Sequence, residues 1–212
     1  MAARRTIVKV CGLTRLEDAR DAHDAGADWL GLVIHGESPR RVSLEAAREI
    51  TAALDGAITV GVMVAPTPEQ ALELARASGV TRVQLHRVDP LTWPREFPLP
   101  VAIAVGVDAD GSLVAPLPPA EHLVMLDTAH DRLAGGTGRT FPWDTARVVA
   151  ASRDVILAGG LGPDNVGDAV RAVRPWAVDA SSGLETAPGI KDGERVRRFV
   201  EAVRACDAGE ET

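Results

Sequence analysis

The chain has 212 residues, a length that suits one barrel-sized domain or two small ones, and its 46% hydrophobic content provides an ample core. With 23 Lys and Arg against 30 Asp and Glu, the formal net charge is −7, which argues against a non-specific nucleic-acid surface. Two distant cysteines, Cys11 and Cys206, give neither a disulfide framework nor zinc spacing, and no apolar run approaches the ~20 residues of a membrane span. No metal site, no membrane attachment and a cytoplasmic location are the expectations.

Apolar runs alternate with helical patterns along the chain. Strands are predicted at residues 6–11, 29–34, 58–64, 83–85, 101–107, 123–126, 155–158 and 177–178. Helices are predicted at 16–25, 44–54, 68–78, 143–151, 165–173 and 194–205. Ser43 reads as one N-cap, and Thr67 followed by Pro68 as another. The strands are short and rich in Val, Ile and Ala without clear alternation, the pattern of strands covered on both faces. Repeated strand–helix units imply right-handed parallel crossovers, and eight of them close a single (β/α)8 TIM barrel.

Two connections depart from that rhythm. Residues 90–100 carry four prolines, and residues 108–120 carry three more plus Gly111. The fourth and fifth barrel helices are therefore expected to be reduced. The domain is expected to span residues 1–206, with 207–212 a short acidic, disordered tail. A doubly wound open sheet is the competing architecture.

The polar motifs follow the strands. Cys11-Gly12 follows the first and Ser38-Pro39-Arg40 the second. Gln84-Leu85-His86 ends the fourth, Asp127 the sixth, Gly159-Gly160 the seventh and Asp179-Ala180-Ser181-Ser182-Gly183 the eighth. In a barrel all of these share the C-terminal rim, where active sites are built. Gly159, Gly160, Ser182 and Gly183 follow strands seven and eight, the usual phosphate position, where backbone N–H groups can approach phosphate oxygens.

Each residue has a bland reading beside the chemical one. Cys11 is either a small buried hydrophobe or a base. Arg40 is either a surface ion pair or a fork for a carboxylate, with Arg41 competing for either task. Asp127, after four apolar residues, is partly desolvated. Burial raises a carboxyl's pKa and suits it to donate a proton, and capping is the plain alternative. Asp179 is placed to accept from sugar hydroxyls. His86 is equally a structural residue or a ligand contact. His23 and His122 read as structural, and His130 has no assignable task. Gly135-Gly136-Thr137-Gly138 lacks a P-loop ending and reads as a hinged rim loop.

Taken together, KVCGLTRLEDA, GADWLGLV, SPRRV, VGVMV, VQLH, LDT, GGTGRTFPW, LAGGLGPDNV and DASSGLETAPGIKD resemble the phosphoribosylanthranilate isomerase family of tryptophan biosynthesis. They span residues 9–192. The resemblance implies a cofactor-free Amadori rearrangement of a phosphorylated aminosugar. It implies Asp127 as general acid on the ring oxygen and Cys11 as base at C2. It further implies Arg40 on the anthranilate carboxylate, Gly160, Ser182 and Gly183 on phosphate, and Asp179 near the sugar. Lys9, two residues before Cys11, lies on the same strand face and is a source of positive charge for its thiolate.

Two stretches depart from the family pattern. His35 and Glu37 stand where an aromatic residue is usual, and Arg87 stands where glycine is usual. A paralogue acting on another aminosugar phosphate, or a non-catalytic phosphate-binding barrel, are the alternatives. The family contains monomers and dimers, so a homodimer stays open.

Overall fold

The computed structural model describes residues 5–54, 56–129 and 141–209. Eight strands form one closed parallel barrel in sequence order: β1 (Ile7–Val10), β2 (Trp29–His35), β3 (Ile58–Val64), β4 (Arg82–His86), β5 (Val101–Val107), β6 (Leu123–Thr128), β7 (Val155–Leu157) and β8 (Ala177–Ala180). β8 returns to pair with β1, with Lys9 opposite Asp179, so the open-sheet alternative is excluded. The helices are α1 (Leu16–Asp24), α2 (Leu44–Ala52), α3 (Pro68–Ser78), α4 (Trp143–Ala150), α5 (Val166–Val173) and α6 (Gly193–Gly209). A short hairpin, β9 (Glu185–Ala187) with β10 (Ile190–Lys191), follows β8. Among the described residues no helix is long and apolar enough to cross a membrane.

Local chemistry explains the boundaries. Ser43 caps α2 by accepting from the Ala46 N–H. Thr67 and Gln70 form a reciprocal capping box at the start of α3, with Pro68 in its first turn. The β4–β5 and β5–β6 connections contain no helix, as their prolines dictate. Trp93, Phe97, Leu113 and Leu117 pack on the core in place of helical faces. Arg153 ties the second of these loops down by donating to the carbonyls of Pro118 and His122. The His122 ring in turn bonds the Pro94 carbonyl, which fits its structural reading.

Strand parity sorts the core into two chemistries. Val8, Val10, Leu30, Leu32, Val124, Leu126, Val178 and Ala180 point outward into the main cluster beneath the helices. The alternate residues point into the barrel. The inward floor is apolar: Trp29, Val60, Ala102, Met125, Ile156 and Ala177 pack together, with Ile7 and Trp176 against them. Trp29 and Trp176 meet edge to face at 5.2 Å, and the Arg82 guanidinium lies 4.7 Å from the Trp29 ring. One step nearer the C-terminal rim the inward residues become polar. Lys9, Gln84, Asp127 and Asp179 occupy those positions, and Cys11, His86 and Val33 stand near the same rim.

Three expectations need correction. β6 runs through Asp127 to Thr128, paired with Gly106 and Val107, instead of ending at Leu126. β8 runs through Asp179 and Ala180, because Asp179 faces inward and keeps its place in the ladder with β1. The boundary drawn at Cys206 falls inside α6, which continues to Gly209. Asp207 is not loose: its carboxylate accepts from the Thr6 N–H and Oγ1–H and from Arg204.

Candidate active site

A cleft of about 730 Å³ opens at the C-terminal rim. Its lining includes Cys11, Arg40, His86, Asp127, Gly159, Gly160, Asp179 and Ser182, so eight of the nine residues singled out from sequence converge there. The ninth, Gly183, lies directly behind it. A Cβ on Gly183 would collide with the Leu161 backbone, so the loops after β7 and β8 pack main chain on main chain. Gly159 and Gly160 adopt φ of +88° and +64°. Asn165 holds their turn by donating to the Gly160 carbonyl and accepting from the Gly162 N–H.

The electrostatic centre is Lys9. Its ammonium is fully buried and lies 2.8 Å from Asp179 Oδ1. Burial works against its charge, yet Asp179 and Cys11 outweigh that and hold its pKa above the ordinary lysine value. The same lysine reaches the Cys11 thiol, on the predicted face. The expected activation is incomplete, however. Burial pushes the Cys11 pKa up, the opposing pull of Lys9 does not win, and Asp179 adds to the rise. Cys11 packs with Val33 and Val62, a wall that withholds water from a thiolate.

Asp127 behaves as its apolar run predicts. Burial, with the nearby negative charge of Asp179, raises its pKa to about 7, against smaller opposing contributions from the Thr128 backbone and Lys9. It is poised between acid and carboxylate at neutral pH. His86 moves the other way. Burial first, then Lys9 and Arg87, lower its pKa to about 4, so its ring is neutral. The Gln84 side chain is 2.9 Å from His86 Nε2.

Arg40 is at the cleft wall with its stem half-buried, but its fork is already engaged. Nε lies 2.8 Å and Nη2 2.7 Å from the carboxylate oxygens of Glu185. Arg41 is exposed and does not line the cleft, which removes it as a competitor. His35 and Arg87 also lie outside the lining, and of the departures only Glu37 reaches it, at an exposed position. Arg87 takes φ +55°, the left-handed region that glycine occupies freely, so its bulk is accommodated by backbone strain away from the cleft. His23 is exposed beside Asp24 and not a core residue. His130 and Gly135-Gly136-Thr137-Gly138 lie outside the described residues.

From sequence alone, Glu185 and Lys191 have no individual role, nor do Gln84 and Ser181 within their rim motifs. Glu185 and Lys191 are charged side chains buried together at 2.7 Å. Gln84 Oε1 and Ser181 Oγ are buried at the cleft without a hydrogen-bond partner, the condition of groups that meet a ligand. The available signal was parity: Gln84 stands two residues before His86, hence on the same inward face.

A closed eight-stranded α/β barrel whose titratable inward residues gather at the C-terminal rim defines a (β/α)8-barrel enzyme. The chain matches the N-(5'-phosphoribosyl)anthranilate (PRA) isomerase family over residues 8–202. It is 44% identical over 204 residues to the N-(5'-phosphoribosyl)anthranilate isomerase of Rubrobacter xylanophilus, covering 93% of this chain and 98% of that one. It is 45% identical over 196 residues to that of Geobacter sulfurreducens, covering 91% and 96%. The crystal structure of phosphoribosyl anthranilate isomerase from Thermotoga maritima superposes with a TM-score of 0.80 at 34% identity, covering 94% of this chain and 99% of that one. A solved structure of the isomerase in complex with reduced 1-(o-carboxyphenylamino)-1-deoxyribulose 5-phosphate gives 0.76 at 32% identity, with the same coverage. The chain belongs to the N-(5'-phosphoribosyl)anthranilate isomerase family.

Proposed function

We propose that this chain catalyses the Amadori rearrangement of N-(5'-phosphoribosyl)anthranilate to 1-(2-carboxyphenylamino)-1-deoxyribulose 5-phosphate, the isomerase step of tryptophan biosynthesis. The observation that carries the reading is the pairing of a carboxyl titrating at about 7 with a thiol in one cleft, beside two glycine loops. Asp127, protonated, gives its proton to the furanose ring oxygen. The C1–oxygen bond breaks as the nitrogen lone pair forms the C1=N bond, giving a protonated Schiff base. Cys11, its own proton released to solvent through the open cleft, then takes the C2 proton as the thiolate. The C–H electrons become the C1=C2 bond and the C=N electrons return to nitrogen, leaving a neutral enolamine. Tautomerisation to the ketone completes the isomerisation, with no net oxidation and no cofactor.

The order of steps answers the high pKa of Cys11. A free thiol in this wall is reluctant to ionise. Proton transfer from Asp127 creates a cation on the substrate next to Cys11, and an opposite charge at that distance favours the thiolate. The acid step therefore prepares the base step, with the Lys9 ammonium adding to the same field.

Gly160, Ser182 and Gly183 cradle the phosphate, and Asp179 meets a sugar hydroxyl while bound to Lys9. Neutral His86 supplies a polar contact that carries no charge. Val33, Val62 and Val64 line the cleft beside Arg40, which supports an aryl ring along the valines with its carboxylate at Arg40. The two thiols, Cys11 and Cys206, are unpaired, which fits a reducing cytoplasmic setting. The test is direct: purified protein should convert phosphoribosylanthranilate with the accompanying fluorescence change, and its gene should restore growth of a tryptophan auxotroph lacking the isomerase. Absence of turnover with that substrate overturns the reading.

A further inference from the structure

Arg40 is one member of a buried trio. Its Nε–H and one Nη2–H form a side-on fork to Glu185, and Lys191 Nζ approaches the same carboxylate at 2.7 Å from Oε1. Lys191 also donates to the Ser181 carbonyl at 3.2 Å. The Glu185 and Lys191 side chains are 4% and 1% exposed, so neither is an ordinary surface ion pair. They face each other across the β9–β10 hairpin.

That hairpin is rigidly placed. The Lys191 N–H donates to Asp18 Oδ2 at 3.1 Å, Thr14 Oγ1 donates to the Gly189 carbonyl at 2.5 Å, and Arg195 donates to the Glu185 carbonyl at 2.7 Å. Burial alone would raise the Glu185 pKa, but the hydrogen bonds from Arg40 and Lys191 outweigh it and hold the carboxylate ionised.

Two consequences follow for a ligand. A guanidinium has five N–H donors in one plane. Glu185 occupies the side-on pair, which leaves the end-on pair of Nη1 and Nη2 in a plane that Glu185 fixes. Charge matters as well. Arg40 with Glu185 alone would be neutral; burial lowers the Lys191 pKa, but its 2.7 Å contact with Glu185 favours the ammonium, and with Lys191 charged the trio carries one net positive charge.

We propose that Glu185 and Lys191 are specificity-determining positioning residues for the aryl carboxylate of the substrate: Glu185 sets the plane of the Arg40 fork, and Lys191 restores the positive charge that Glu185 removes. This rests on the function proposed above and assigns the selectivity of its aryl end to residues that do not themselves touch the reacting atoms. A planar carboxylate held beside an aromatic ring is the ligand this geometry fits, since it can take two parallel hydrogen bonds from the end-on fork.

The test compares two ligands on the full chain: reduced 1-(o-carboxyphenylamino)-1-deoxyribulose 5-phosphate, and the phenylamino compound that lacks the carboxylate. Lys191→Met leaves Glu185 paired with Arg40, so the fold is retained; Glu185→Gln is the companion variant. Lys191→Met is expected to bind the carboxylated ligand about tenfold more weakly, and Glu185→Gln, whose lost orientation of the fork is partly offset by the positive charge it uncovers, about threefold, with the other ligand within about twofold in both. KM for phosphoribosylanthranilate should rise by a similar factor, with kcat within about threefold. Equal weakening of both ligands, or no weakening in Lys191→Met, overturns the proposal. If wild-type protein turns over the substrate and the variants match it, only the positioning role falls. If wild-type protein does not turn it over, the proposed function falls first.

Discussion

Lys9 Nζ lies 2.8 Å from Asp179 Oδ1 at the register where β1 meets β8, with the lysine fully enclosed. The pair sits between the apolar floor of the barrel and the cleft, so it is at once structural and electrostatic. Removing one partner strands a buried charge, whereas removing both charges does not. Lys9→Met should cost about 3–5 kcal/mol in urea unfolding, and Lys9→Met with Asp179→Asn should recover most of that. If the double variant is no more stable than the single one, the pair is not the source of the loss.

Asp127 couples stability to pH with a sign opposite to that of a salt-bridged carboxylate. Its folded pKa, about 7, lies above the ordinary value of 3.8, so the native state binds the proton more tightly than the unfolded one. The benefit is fully present below about pH 4 and is lost as pH rises through about 7. Asp127→Asn should therefore melt higher than wild type at pH 8 and match it only at about pH 4 and below, because at pH 5 the unfolded chain's carboxyl is already largely ionised. Because the residue is partly exposed, the gain should be only about 1 kcal/mol, roughly 2–4 °C for a chain of this size. The same variant should lose about 10²–10⁴-fold in turnover, and single-turnover ring opening in wild type should slow above pH 7.

Cys11 and Cys206 should differ in reactivity. Burial raises the Cys11 pKa, and its side chain packs with Val33 and Val62. Cys206 is only partly buried near the C-terminus, where Arg171 donates to its sulfur. Alkylation at pH 8 followed by mass spectrometry should modify Cys206 first in the free protein. Cys11→Ala should reduce kcat by about 10²–10⁴-fold with little change in ligand binding. Near-normal turnover in Cys11→Ala would refute its role as base.

Gly31 on β2 makes the room in which base and lysine meet. A Cβ there would stand 2.9 Å from Cys11 Sγ and 3.1 Å from Lys9 Nζ. Gly31→Ala should cost about 1–3 kcal/mol by overpacking and should also lower kcat, since it pushes the thiol and ammonium apart. A loss of stability with kcat unchanged would mean the contact is packing alone.

Much of this architecture was legible in the chain because it is set by local chemistry. The 101–107 and 58–64 strands and the Thr67-Pro68 helix start match the structure residue for residue, since apolar runs, caps and prolines act over a few positions. The strands extend beyond their apolar runs at Asp127 and Asp179, where a polar residue reads as the end of a run although the ladder continues through it. The helix-free connections followed from proline content alone.

The sequence by itself determined the barrel, its proline-rich gaps and the cluster of chemical residues at strand ends, because periodicity and chain order suffice for those. Only the tertiary structure decided that Lys9 faces Asp179, that Glu185 joins Arg40 to Lys191, and that burial raises the Cys11 pKa while Asp127 titrates near neutrality. Pairing across about 145–170 residues of chain and the degree of burial are properties of barrel closure, and both set a pKa more strongly than any sequence neighbour does.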